Sequence, residues 1–329
     1  MKLLPWLNDV IFPAETRWND LPKAVEMIHR VADQCLAVGT TGICAYATVS
    51  HQATLAALQT FGDRGFRGVI GQVMMDCGAP PELTRPTGQL IDEVDHTLDL
   101  FPPAGRMAAA VTPRFALACT NELLEDAGRL ARRHQSIVQT HLAETISECE
   151  AVRARFSGKD YVAVYADADL LGSRSILGHG IHLDRTAQIQ LAESGATIAH
   201  CPTANSFLGS GSMDRHSHRS YGIPIALGSD IGAGYERSMV RVGRAMIETA
   251  TQLAISQGYE VGDSHRIPSA AEAWHQITAG NADALGWRDC GRIEPDASAD
   301  LLVVRPDIPW LQTKDPLSTL MFAWDDRWI

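Results

Sequence analysis

Apolar, β-branched runs recur along the chain at 42–49, 68–75, 107–111, 136–140, 175–177, 196–199 and 223–227. Between them, apolar residues fall three and four apart, the spacing of a helix with one buried face. Leu90, Ile91, Val94 and Leu98 predict a helix over 87–100. Thr120 is a good N-cap for a second over 121–134. The stretches 144–156, 184–193 and 236–255 follow the same logic. Upstream, Val25, Ile28, Val31, Ala32 and Cys35 predict a helix over 21–38 that stops at Gly39. Strands apolar nearly throughout, alternating with helices, imply a parallel sheet covered on both faces. The pattern yields seven strand–helix units, and a closed parallel barrel has eight. An open doubly wound sheet would prefer a glycine-rich phosphate loop after its first strand. Gly209-Ser210-Gly211 does not serve, because it follows no simple strand. The expected fold class is therefore α/β, a (β/α)8 TIM-type barrel one strand short.

The two ends depart from the alternation. Residues 3–17 are apolar and aromatic without useful periodicity, and Pro5, Trp6 and Pro13 suggest a short helix or loop packed onto something. Ser269-Ala270-Ala271-Glu272 is a capping box that opens a helix to about residue 284. Ala299-Asp300-Leu301-Leu302-Val303-Val304 reads as a strand, part of a second, small β unit.

Composition narrows the partners. The chain has 329 residues, 45% hydrophobic and 20% charged, enough for a full core. A formal charge of −11 argues against nucleic acid, whose binding rests on Lys and Arg neutralising phosphates. The seven cysteines form no C-x-x-C pair, so buried free thiols in a reducing cytoplasm are expected. The start of the sequence carries no signal-peptide pattern, and no apolar segment is long enough to span a membrane.

The polar residues that matter stand at strand tips, where barrel enzymes put their chemistry. His141 ends the fourth apolar run, His179 the fifth, His200 the sixth and Asp230 the seventh. Histidine nitrogen and aspartate oxygen suit a zinc ion that keeps one position open for water. Asp230 is the candidate to take a proton from such a water, and Glu144 to pass a proton to the substrate. His179 could hydrogen-bond the water or a developing oxyanion. Singly, each residue has a structural explanation as good as the functional one; standing together at successive tips, they favour chemistry. His200, followed by Cys201-Pro202, is weighed as structural. His216-Ser217-His218, the single H-x-H of the chain, lies between Arg215 and Arg219 and reads as a solvated helix face. Arg114-Phe115, after the third run, could hold a flat, oxygen-bearing heterocycle.

These motifs together resemble the amidohydrolase superfamily, and within it the guanine-deaminating branch. The resemblance is carried by Phe12-Pro13-Ala14-Glu15, Pro113-Arg114-Phe115, Gln139-Thr140-His141-Leu142-Ala143-Glu144, Gly178-His179-Gly180, His200-Cys201-Pro202-Thr203-Ala204-Asn205 and Gly228-Ser229-Asp230. It implies zinc-dependent hydrolytic deamination of guanine to xanthine and ammonia, with one zinc per subunit. His141 and Asp230 would be zinc ligands; Glu144, His179 and Asp230 would be catalytic; Arg114, Phe115, His141 and Glu144 would bind the purine. Another aminopurine, a pterin or a triazine is the alternative substrate, and a non-catalytic purine-binding or oligomerisation partner the alternative role. The resemblance further implies a homodimer. It places an H-x-H with two more zinc ligands on a strand upstream of Met1, so the expectation is a barrel without its first strand over 1–290 and a remnant of a small β-sandwich domain over 291–329. Weak metal binding and exposed strand edges are expected beside the gap.

Overall fold

In a computed structural model, residues 3–259, 265–308 and 314–329 are described. The strands are β1 (Gly42–Tyr46), β2 (Arg67–Gly71), β3 (Val73–Met74), β4 (Met107–Pro113), β5 (Ile137–Leu142), β6 (Ser175–His179), β7 (Thr197–His200) and β8 (Ile225–Leu227). All pair in parallel, in the order β1-β2-β4-β5-β6-β7-β8, with β3 continuing the line of β2 along β4. Among the described residues β1 and β8 do not pair. The sheet is thus a curled, open barrel of parallel strands, as the alternation of apolar runs predicts.

The runs are apolar throughout because each strand serves two cores. In β4, Ala109 and Val111 face the helices, packing with Leu123, Leu124 and Leu130, while Ala108 and Ala110 face the barrel axis. Ile137 and Ile176 share that axis with Val69, and the successive residues Val138 and Leu177 turn outward. This is the two-residue period of a pleated strand with both faces buried. Leu285 and Trp287 fill the foot of the barrel against the inner cluster, and Arg67 stacks over the Trp287 ring at 5.5 Å.

Local signals set the helix ends. Thr120 accepts from Leu123 N, so the helix Asn121–His134 starts where expected. The helix expected from 144 begins at Ile146, because Thr145 and Glu148 form a reciprocal capping box and exclude Glu144. Ser269 and Glu272 form the capping box read from the sequence.

The edge expected to be bare on β8 is occupied. The β7 side of β8 is bonded through Pro224 O and Gly228 N. On its other side Leu227 N donates to Asn281 Oδ1 (2.8 Å), Asn281 Nδ2 donates to Leu227 O (2.9 Å), and Gln276 Nε2 donates to Ile225 O (2.8 Å). Two side-chain amides thus imitate a neighbouring strand. The N-terminal segment lies elsewhere: Leu3, Trp6, Leu7 and Phe12 are buried against Val49, Val73, Met75, Phe115 and Leu208 at the mouth.

Two further expectations fail. Residues 299–304 form no strand; among the described residues no neighbouring strand offers a ladder there, and an isolated extended segment has nothing to pair with. The helix Arg215–Ser220 is not a solvated face, since Arg215 and His218 are buried. His218 places its ring nitrogens 2.9 Å from the carbonyls of Asp214 and Gly180, bracing the turn behind His179.

Candidate active site

Strand parity begins the site. Ile137, Gln139 and His141 alternate along one face of β5, so His141 points into the mouth as the axial row ends. Its Nδ1 lies 2.7 Å from the Arg114 carbonyl, which also accepts from His141 N (3.1 Å) and Thr140 Oγ1 (3.3 Å). Nδ1 therefore carries the proton and Nε2 is left bare. Tyr165 fixes the backbone from behind, donating to His141 O at 2.7 Å. The Tyr46 ring lies 4.7 Å from His141 and the His179 ring stacks at 5.5 Å. Desolvation in the mouth pushes His141 down to about 3, so the imidazole stays neutral.

Parity alone would turn His179 away, because Ile176 and Gly178 take the axial positions of β6. His179 instead has φ 71°, a left-handed backbone that re-aims the ring into the mouth. Gly180 follows at φ 58°, where a Cβ would meet Ile198 Cδ1 at 2.2 Å, so both the backbone and the packing favour glycine. Asp230 also stands at positive φ, 48°. Left-handed non-glycine residues at two of the four tips mark backbone shaped for the side chain it presents.

The carboxylates gather round His179. Its Nε2 lies 3.5 Å from Glu144 Oε2 and 4.0 Å from Asp230 Oδ2, while its Nδ1 lies 2.8 Å from Asn205 Oδ1. The Asn205 acceptor puts the Nδ1 proton on its own side. Burial works against charge on His179, but Glu144 and Asp230 outweigh it and the imidazole titrates above its ordinary range. Glu144 is only 3% exposed. Ser210 Oγ donates to Glu144 Oε1 at 2.6 Å, and Glu144 N donates to Glu148 Oε2 at 2.9 Å. Tyr161 holds Glu148 in turn, at 2.7 Å. Burial lifts the Asp230 carboxyl to about 6, with His179 opposing and Glu144 adding.

Arg114 sits at the rim. Its guanidinium is paired with Glu15 Oε2 at 2.6 Å and lies over the Phe12 ring at 5.5 Å. Phe115 is 5% exposed and packs within the apolar cluster of the N-terminal segment. His200 is buried with neither ring nitrogen hydrogen-bonded, and desolvation pushes it down to about 3. The structure thus brings together His141, Glu144, His179 and Asp230, with Arg114 beside them. The sequence reading gave no role to Glu15, Asn205, Ser210 or Glu148. Glu15 and Asn205 lie inside motifs it noted, but their partners are distant in sequence and become visible only once the strand tips converge.

The donors fit a metal ion. The half-buried His141 is neutral with Nε2 free, and the Asp230 carboxylate makes no hydrogen bond among the described residues. Nitrogen and oxygen donors of this kind suit zinc, which usually takes four ligands; these tips offer two of them. Among the described residues, the one set of three His, Cys, Asp or Glu donors whose ligand atoms all lie within 4.8 Å of one another is Asp95, Asp99 and His134 on the outer helices. There Arg133 and His134 already pair with Asp95, so it is an ion-pair cluster.

Among the described residues no helix is long and apolar enough to cross a membrane. A model of the amidohydrolase family matches residues 2–329. Guanine deaminase of Rattus norvegicus is 31% identical over 311 residues, 93% of this chain and 67% of the rat protein. The structure of E. coli guanine deaminase superposes with a TM-score of 0.91 at 31% identity, covering 98% of this chain and 76% of that one. Guanine deaminase from C. acetobutylicum with guanine bound in its active site superposes with a TM-score of 0.93 at 27% identity, covering 100% and 78%. This chain therefore spans about two thirds to three quarters of the length of these relatives. Family match, identity along nearly all of the chain and superposition over 98% of it agree: the chain belongs to the amidohydrolase family.

Proposed function

We propose that this chain carries out zinc-dependent hydrolytic deamination of guanine to xanthine and ammonia. The observation that carries the reading is the convergence of His141, Glu144, His179 and Asp230 on one barrel mouth, with Glu144 and Asp230 both within 4.0 Å of His179. Likeness to guanine deaminases along 93% of the chain supports the choice of substrate.

His141 Nε2 and Asp230 would hold the zinc. When bound, the ion supplies the positive charge that acidifies a water molecule near neutral pH. Asp230 accepts the proton of the attacking water. Glu144, fixed by Ser210, hands a proton to the purine ring as water adds at the carbon bearing the amine. His179, its Nδ1 tied to Asn205, directs Nε2 at the oxygen on which charge develops. As the C–N bond breaks, the proton held by Asp230 passes to the departing amine and the hydroxyl proton returns to Glu144, so ammonia leaves and xanthine remains. Arg114 holds the purine edge, with Phe115 in the wall behind it.

In the same reading, 1–290 form the barrel and 291–329 belong to a small β unit. The apolar Ile293, Leu301 and Val303, 90%, 56% and 86% exposed, support the second assignment. A cytoplasmic location is supported by seven cysteines that are all unpaired. The test is a competition. The chain is incubated with zinc and equal amounts of guanine, a pterin and an aminotriazine, and products are followed chromatographically. Xanthine is expected first; preferential loss of the pterin or triazine amine overturns the substrate assignment.

A further inference from the structure

The N-terminal segment is built into the mouth rather than laid against it. Leu3, Trp6, Leu7 and Phe12 are all buried there, and Asn19 Nδ2 pins the segment's far end by donating to the Glu82 carbonyl at 3.0 Å. The segment delivers two side chains to Arg114. Phe12 lies beneath the guanidinium at 5.5 Å, and Glu15 Oε2 meets its NH1 at 2.6 Å. The Arg114 side chain is 12% exposed and that of Glu15 27%, so the pair is largely withdrawn from solvent. A guanidinium held on its face by a ring and on its edge by a carboxylate has few rotamers left. The same residue fixes the other half of the site, since its carbonyl accepts from His141 Nδ1 at 2.7 Å.

We infer that Glu15 is a positioning residue for purine recognition: it acts through Arg114, holding the guanidinium in the one orientation that meets the purine edge. The inference rests on the proposed guanine chemistry and deepens it by giving the N-terminal segment a task there. A salt bridge that only stabilised the fold would contribute little, because in a pair this withdrawn from solvent desolvation offsets most of the attraction. One that orients a substrate-gripping group is felt in binding, where small misplacements cost large factors.

The test is a double-substitution cycle on the whole chain, E15Q and R114A singly and together. Guanine affinity is read by equilibrium titration, and KM and kcat for xanthine formation are measured separately. E15Q is expected to weaken guanine binding and raise KM about tenfold while leaving kcat and Tm nearly unchanged. E15D, which keeps the charge, is expected to recover part of the loss. In the R114A background, E15Q should add nothing, because its effect passes through Arg114. Additive effects of the two substitutions, or a loss in E15Q that tracks a fall in Tm, overturn the inference. Unchanged guanine binding in E15Q, with the unsubstituted chain binding guanine, overturns it while leaving the proposed function standing. An unsubstituted chain that does not bind guanine overturns the functional reading and the inference with it.

Discussion

The two flanks of the barrel mouth are built to different standards. On the β5–β7 flank every working side chain is held by a second residue. The Arg114 carbonyl holds His141, Ser210 holds Glu144, and Asn205 holds His179. Tyr161 and Tyr165, from one short helix, secure the next layer. On the β8–β1 flank, Asp230 makes no hydrogen bond through its carboxylate among the described residues, and the β8 edge is finished by the amides of Asn281 and Gln276. The contrast matches the work assigned to each side. The imidazoles and Glu144 must keep fixed aims and tautomers, so they are braced. Asp230, which serves both the ion and the water, keeps its lone pairs free, and burial without a hydrogen-bond partner raises its pKa.

Breaking the braced flank should give the larger effect. Asn205→Ala and Ser210→Ala each leave a working side chain in place but unoriented. Each is expected to cut kcat for xanthine formation about 10–100-fold with little change in KM, by analogy with losses at supporting residues around metal sites. Steady-state kinetics at saturating guanine decides this, and an intact kcat in both variants would reduce the bracing to packing. Loosening the open flank should act on stability instead. Asn281→Ala strands the Leu227 N–H and C=O, at a cost of about 1–3 kcal/mol. Thermal unfolding should show a Tm lower by several degrees at most, with more aggregation from the freed edge. An unchanged Tm would mean that water satisfies that edge equally well.

How far the sequence could be read follows the same division. The strands were legible because each is buried on two sides, and β4 with its Ala108–Val111 alternation shows why the signal is continuous rather than periodic. His141 was legible because strand parity leads to it. His179 was found as a motif, but its aim depends on a left-handed backbone that parity does not supply. The braces were not legible: Ser210 is 66 residues from Glu144 and Asn205 is 26 from His179, so nothing local ties them. The strand expected at 299–304 shows the opposite limit, for the β-branched and apolar residues are there and, among the described residues, a neighbouring strand to pair with is not. His218 misled for a similar reason, since flanking arginines suggested solvent while its ring packs under Gly180.

The measurement that bears most directly on the proposed chemistry is the rate of xanthine formation from saturating guanine, with zinc present, by the chain and by its Glu144→Gln variant. Glutamine keeps the shape and the Ser210 partner but gives up the transferable proton. The expected result is zinc-dependent xanthine production that falls about 10²–10⁴-fold in the variant, at unchanged Tm. Equal rates in the two proteins, or no xanthine from either at any zinc concentration, would contradict it.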